Sequence, residues 1–120
     1  MPTRKLVARL MAEILSVVAH PERFRLIEEL AGEEKDVDQI VNLLKIPQPT
    51  VSQHLSALRL KRLVISRREG RHVFYSLRHK WIAKWLLEGL KLLEEDDSLS
   101  EEILSAARSA RKLWSVKRHL

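Results

Sequence analysis

A single change of hydrophobic period limits what this chain of 120 residues can become. Apolar residues recur every three or four positions up to Leu60 and again after His79. Between them, Leu63-Val64-Ile65-Ser66-Arg67-Arg68 and His72-Val73-Phe74-Tyr75-Ser76-Leu77 are short β-branched and aromatic runs around Glu69-Gly70. A helix repeats every 3.6 residues and a strand every two, so this stretch reads as a hairpin among helices. Gly70 supplies the positive φ that a two-residue turn requires.

The flanking helices have recognisable stops and starts. Leu6, Val7, Leu10, Met11, Ile14, Leu15, Val17 and Val18 give the first, over about 4–18, its helical spacing. His20-Pro21 ends that run, and Pro21 suits the first position of a second helix with Phe24, Leu26, Ile27 and Leu30 inside and Gly32 at its stop. A third begins at Asp36, where Gln39 three residues on completes a capping-box pattern. After Lys45-Ile46-Pro47 a fourth opens near Pro49, with Val51, Leu55, Leu58 and Leu60 inward and Gln48, Thr50, Ser52, Gln53, Ser56 and Arg59 outward. Beyond the hairpin, one helix runs from His79 to about Glu95, and another follows Asp96-Asp97, capped by Ser98 with Glu101. The expected class is mainly α with a small β-hairpin, in the order α-α-α-α-β-β-α-α, on one core in one domain.

Composition narrows the function classes. There is no cysteine, which excludes disulfides, thiolate metal sites and thiol redox switches. No apolar run approaches a membrane span, and Arg4 and Arg9 interrupt the first apolar stretch, so neither membrane insertion nor a secretory signal is expected. The expected compartment is the cytoplasm. The net charge of +6 is uneven: nine Lys/Arg face one acid between Lys45 and Lys80, while the remaining residues carry 13 bases and 15 acids. A basic field confined to one third of the chain favours a polyanion, with nucleic acid first, although a solvated basic face has the same charge.

What the charge sits on separates these readings. A short helix, a tight turn, a second helix with a polar outer face and a basic ribbon form the layout of a winged helix-turn-helix. The helix-turn-helix spans about 36–62 and the wing about 63–77. Short polar side chains on the leading turns of a helix reach base edges in the major groove, whereas long ones would hold the helix away. Arg67, Arg68 and Arg71 flank a hairpin tip that can lie along phosphates.

Three stretches carry a resemblance to a known family: His20-Pro21-Glu22-Arg23, Ile46-Pro47-Gln48-Pro49-Thr50-Val51-Ser52-Gln53-His54-Leu55-Ser56-Ala57-Leu58-Arg59, and Arg67-Arg68-Glu69-Gly70-Arg71-His72-Val73-Phe74-Tyr75-Ser76-Leu77. Together they resemble the ArsR–SmtB family of bacterial winged-helix repressors over roughly residues 14 to 95. The resemblance implies a homodimer paired through its first and its fifth or sixth helices (about 4–18 and 79–118), reading a palindromic operator and often released by a ligand. By motif position, Gln48, Ser52, Gln53 and His54 are the expected base readers. Lys45, Thr50, Arg59, Arg67, Arg68 and Arg71 are the expected backbone contacts. Pro49 departs from the motif, standing where a small polar residue is common, and removes one backbone donor. The sensing positions do not transfer. Asp36-Val37-Asp38 replaces a Cys-Val-Cys-like site, and His79, Trp81, Leu92 and Glu95 occupy the positions of an Asp/His metal set. No inducer class follows from them.

Plainer readings stand beside these. His79, Glu95 and His119 could meet across a dimer, but no histidine pair has a chelating helical spacing, so no metal or other cofactor is expected. Trp81, Trp85 and Trp114 suit dimer packing, with Leu6, Leu10 and Ile103, better than an aromatic ligand pocket. No nucleophile elbow, Gly-rich loop or zinc-protease spacing supports an enzyme. The expected function is a sequence-specific DNA-binding repressor. The alternatives are a winged-helix interaction module, which would lose the small-polar surface of the fourth helix, and an architectural DNA binder, which would not need Gln48, Ser52 and Gln53.

Overall fold

Helical spacing in the first sixty residues becomes four helices, and the change of period becomes a wing. The computed structural model describes the backbone of residues 2–118 and the side chains of residues 2–112. The elements are α1 (Pro2–Val18), α2 (Pro21–Leu30), β1 (Lys35–Asp36), α3 (Val37–Leu44), α4 (Gln48–Leu60), β2 (Val64–Glu69), β3 (His72–Leu77), α5 (Trp81–Glu88), α6 (Lys91–Glu94) and α7 (Glu101–Arg118). No described helix is long and apolar enough to cross a membrane.

Local chemistry sets the boundaries. His20 caps α2, its Nδ1 accepting from the Glu22 N–H at 3.3 Å, and Pro21 follows where a missing N–H costs nothing. At α3 the capping box forms as expected. Asp36 Oδ1 accepts from the Gln39 N–H, and Gln39 Oε1 accepts from the Asp36 N–H, both at 2.9 Å. Among the described residues, two non-glycine residues adopt left-handed backbone, Lys45 (φ 58°) and Arg62 (φ 61°), and they bracket α4. Each stops one helical run and redirects the chain.

The wing departs from the expected hairpin in one respect: it is a three-stranded antiparallel sheet in the order β1-β3-β2. Lys35 pairs with Tyr75 and Asp36 with Phe74. Two residues are too short to show alternation, and these lie where the capping pattern already announced a helix. The β2–β3 turn holds Gly70-Arg71 between Glu69 and His72, with Gly70 at φ 61°.

The chain divides into two compact units, Met1–Arg78 and His79–Leu120. In the first, Leu26, Ile27, Leu30, Ile40, Val51, Leu55, Leu58 and Val64 are buried. The second has its own interior residues, Ile82, Ala83, Leu87 and Ala107, with α7 packed on α5 and α6 and Arg111 donating to both Glu94 oxygens at 2.6 and 2.9 Å. The helix expected from His79 to Glu95 is interrupted, because Gly89 is a weak helix former and ends α5. The last helix is entered through Ser100, whose Oγ accepts from the Ile103 N–H at 3.3 Å, and not through Ser98, whose hydroxyl is spent on Asp96 at 2.6 Å.

Leu55 is 1% exposed, but Leu60, expected inward, is 81% exposed at the last residue of α4, two positions past buried Leu58 and so turned to the opposite side. Leu55→Ala should therefore cost about 2–5 kcal/mol in urea unfolding, and Leu60→Ala within about 0.5 kcal/mol of nothing. Equal costs would contradict the assigned inner face of α4.

Candidate nucleic-acid interface

Helix α4 is divided lengthwise. Val51, Leu55 and Leu58 are sealed into the core, which turns Gln48, Gln53, Ser56 and Arg59 to solvent and leaves Thr50 and Ser52 half-buried at the margin. Gln48, Pro49, Thr50, Ser52, Gln53 and Ser56 line one open depression. Within it, Gln48 Nε2 donates to Ser52 Oγ at 3.2 Å, so two of the expected base readers support each other one helical turn apart.

His54 does not belong to this face. It is 5% exposed and points inward, where Arg23 Nε donates to its Nδ1 and its Nε2 meets Glu22 Oε1, both at 3.0 Å. The assignment of His54 as a base reader is corrected on that ground. Motif position placed it next to Gln53, but one residue along a helix turns a side chain by about 100°.

The wing holds its arginines in two different states. Arg67 is clamped: its Nε reaches Glu34 at 2.9 and 3.1 Å, its Nη2 also pairs with Glu34, and its Nη1 reaches Glu69 at 2.7 Å. Its guanidinium lies over the Phe74 ring, 4.7 Å from the centroid, as expected of residues directly opposite in the sheet. These bonds hold the Glu34 carboxyl below the usual glutamate range and push Arg67 further up. Arg67 is thus a poor match for the simple phosphate contact expected of it, since two carboxylates already neutralise it. Arg68 and Arg71 are exposed, with no carboxylate in ion-pairing range among the described residues, and Lys45 is exposed at the turn before α4. Near the tip, His72 Nδ1 lies 3.4 Å from Asp36 Oδ2.

The remaining expected residues are scattered. Leu6, Leu10, Trp81 and Ile103 are between 44% and 61% exposed, a large apolar area for one chain to leave in water. Trp85 is half-buried, and Trp81 stacks on His79 with ring centroids 5.6 Å apart. The side chain of Trp114 and the whole of His119 lie outside the described residues. Among those described, His79 and Glu95 join no metal-ligating group. Among the described residues, the one group with such spacing is His20, Glu22 and His54. Sequence spacing could not reveal it, because His54 lies 32 residues beyond Glu22, although His20-Pro21-Glu22-Arg23 had stood out as a motif.

A family profile described as "Bacterial regulatory protein, arsR family" matches residues 20–66, from the cap of α2 into the wing. Over 90 residues, the chain is 39% identical to a "Transcriptional repressor SmtB homolog" of Synechocystis sp., covering 75% of this chain and 68% of that protein. The chain belongs to the ArsR family. This ArsR-family chain is also similar to the crystal structure of NolR from Sinorhizobium fredii, with 32% identity, a TM-score of 0.71, and coverage of 77% of this chain and 92% of that one. A winged helix-turn-helix DNA-binding domain of Mycobacterium bovis, described as homodimeric, shares the fold at 24% identity and a TM-score of 0.69, over 77% of this chain and 85% of that one. The aligned stretches cover 62% to 76% of the lengths of the curated relatives it matches.

The clamp on Arg67 has a definite pH signature. Because the Glu34 pKa is lowered, the bridge is intact above the ordinary carboxylate range and is lost as pH falls through Glu34's lowered value. A carbon-detected NMR titration should place the Glu34 carboxyl below an ordinary glutamate and return it to the ordinary range in Arg67→Gln. An unchanged titration in the variant would show that Arg67 is not the cause.

Proposed function

We propose that this chain is a homodimeric, sequence-specific transcriptional repressor that acts in the cytoplasm by binding a palindromic operator, and that it binds without catalysing a reaction. The observation that carries the reading is the division of α4: a sealed apolar stripe on one side, and on the other Gln48, Ser52 and Gln53 beside an exposed basic wing. Amide and hydroxyl side chains of this length reach base edges in the major groove, and each good bidentate pair discriminates by about 1–3 kcal/mol. Lys45, Thr50, Arg59, Arg68 and Arg71 surround that face and are assigned to phosphates, which set register without reading sequence. Arg67 contributes less than its neighbours, because a phosphate must compete with Glu34 and Glu69 for it.

The dimer assignment rests on apolar surface. Leu6, Val7, Leu10, Met11 and Leu15 lie at helical spacing on α1 and are 39% to 49% exposed in the single chain. Such a stripe suits helix–helix pairing with a second copy, and two copies would present two α4 helices to two half-sites one DNA turn apart. The homodimeric description of the Mycobacterium bovis domain is consistent with this.

Fluorescence anisotropy on duplex DNA from upstream of the gene encoding this chain, with random duplex as competitor, tests the reading. Gln53→Ala should cost about 1–3 kcal/mol on the operator and relax base preference. Arg68→Ala should weaken all sequences alike and lower the salt slope by about one unit, and Arg67→Ala should lower it less. No preference over random DNA would sink sequence-specific binding, and reversed behaviour of Gln53 and Arg68 would sink the residue roles. Separately, Leu10→Glu should shift the chain from dimer to monomer in sedimentation.

A further inference from the structure

The group of His20, Glu22 and His54 has the composition of a metal site, yet its hydrogen bonds point to a different use. Arg23 Nε–H donates to His54 Nδ1, so that nitrogen presents its lone pair and the proton of the neutral ring sits on Nε2, which donates to Glu22. A metal at Nε2 would need that proton removed while Nδ1 still served Arg23, leaving an imidazolate, and it would sit beside a guanidinium. Ligating histidines ordinarily donate from their second nitrogen to a carboxylate or carbonyl, the opposite arrangement.

The same bonds connect three elements. Arg23 belongs to α2, and its Nη1 donates to the Val17 carbonyl at the end of α1 at 3.1 Å. His54 belongs to α4, one residue after Gln53 and two after Ser52. The His20 ring, at the cap of α2, meets the His54 ring edge-on with centroids 4.6 Å apart. Apolar packing sets how deep a helix sits, but it tolerates rotation about the helix axis better than a directed pair of hydrogen bonds on one buried ring does. A small rotation of α4 would move Gln53 off a base edge while leaving the core closed.

We propose that His54 is a positioning residue: held between Arg23 and Glu22, it fixes the rotation of α4 on α2, and it does so only while its ring is neutral. The proposal rests on the DNA-binding reading above. A second proton on His54 must go to Nδ1, where no lone pair then remains for Arg23. Glu22 would keep one edge of the ring, but Arg23 would be displaced by a like charge. The charged and titratable groups facing the ring among the described residues are Glu22 and Arg23 of α2 and His20 at its cap, and a protonated His20 would add to the repulsion. Specific affinity therefore falls with acid. Protonation of His72 on the exposed wing acts in the other direction, since added positive charge near DNA tightens binding.

Two measurements on the full chain decide it. Without DNA, nitrogen–proton spectra of the histidine rings at pH 8 should show His54 as the Nε2–H tautomer, unchanged by a tenfold excess of zinc ion. The other tautomer, or loss of the Nε2–H signal on adding zinc, overturns the proposal. With DNA, affinity for the upstream duplex should fall by about tenfold from about pH 8 to about pH 5.5, while affinity for random duplex does not fall. His54→Asn, whose carbonyl can still accept from Arg23 but cannot be protonated, should lose that pH step. A step that persists in His54→Asn, or no step in the parent chain, overturns the coupling. Absence of upstream binding at pH 8 would count against the regulator reading itself, and the ring spectra would still decide the state of His54.

Discussion

The seating of α4 is the constraint on which the rest depends. Val51, Leu55 and Leu58 are each no more than 1% exposed, and burying such side chains contributes about 1.5–3 kcal/mol apiece. That burial orients everything else on the helix. With the apolar stripe inward, Gln48, Gln53 and Ser56 have only solvent to face, and a surface able to read a polyanion follows from packing. The left-handed residues Lys45 and Arg62 let the chain enter and leave α4 sharply. The His54 ring, between Arg23 and Glu22, adds a directed restraint to a non-directional one.

Electrostatics refine this surface more than total charge does. The basic third of the chain is partly neutralised in place. Glu34 and Glu69 take up Arg67, Glu13 lies 3.3 Å from Lys61, and Asp36 stands by His72. The positive charge of that third left without an ion pair among the described residues sits at Lys45, Arg59, Arg62, Arg68, Arg71, Arg78 and Lys80, all exposed. Charge left in the open attracts any phosphate backbone, whereas clamped charge stiffens the wing that presents it. The ArsR-family match from residue 20 to 66 covers the cap of α2, all of α4 and the start of the wing, and so includes His20, Glu22, Arg23 and His54.

Much of this was legible in the sequence, for identifiable reasons. The period change gave away the wing, Gly70 its turn, and Asp36 with Gln39 the start of α3, because each is a local signal carried by adjacent residues. Spacing placed Val51, Leu55 and Leu58 inward and Gln48, Gln53 and Ser56 outward, but it misplaced Leu60 and His54. What escaped depended on partners far along the chain. β1 is two residues long and is held by pairing with Tyr75 and Phe74. Arg67 looked like a free wing cation until Glu34, 33 residues earlier, closed on it. His54 sits next to Gln53 in sequence but faces α2 in space. The break at Gly89 and the cap at Ser100 turned on which of several adequate residues the packing selected, and local propensity does not rank those.

Amide chemical-shift mapping shows whether the polar face of α4 and the neighbouring wing form one surface for DNA. Duplex from upstream of the gene is added stepwise to the labelled chain. Large perturbations are expected on residues 45–59 and 66–73, with little change at α2's outer residues Arg25 and Glu29. Perturbations centred outside α4 and the wing, or none at concentrations where the duplex is bound, would contradict it.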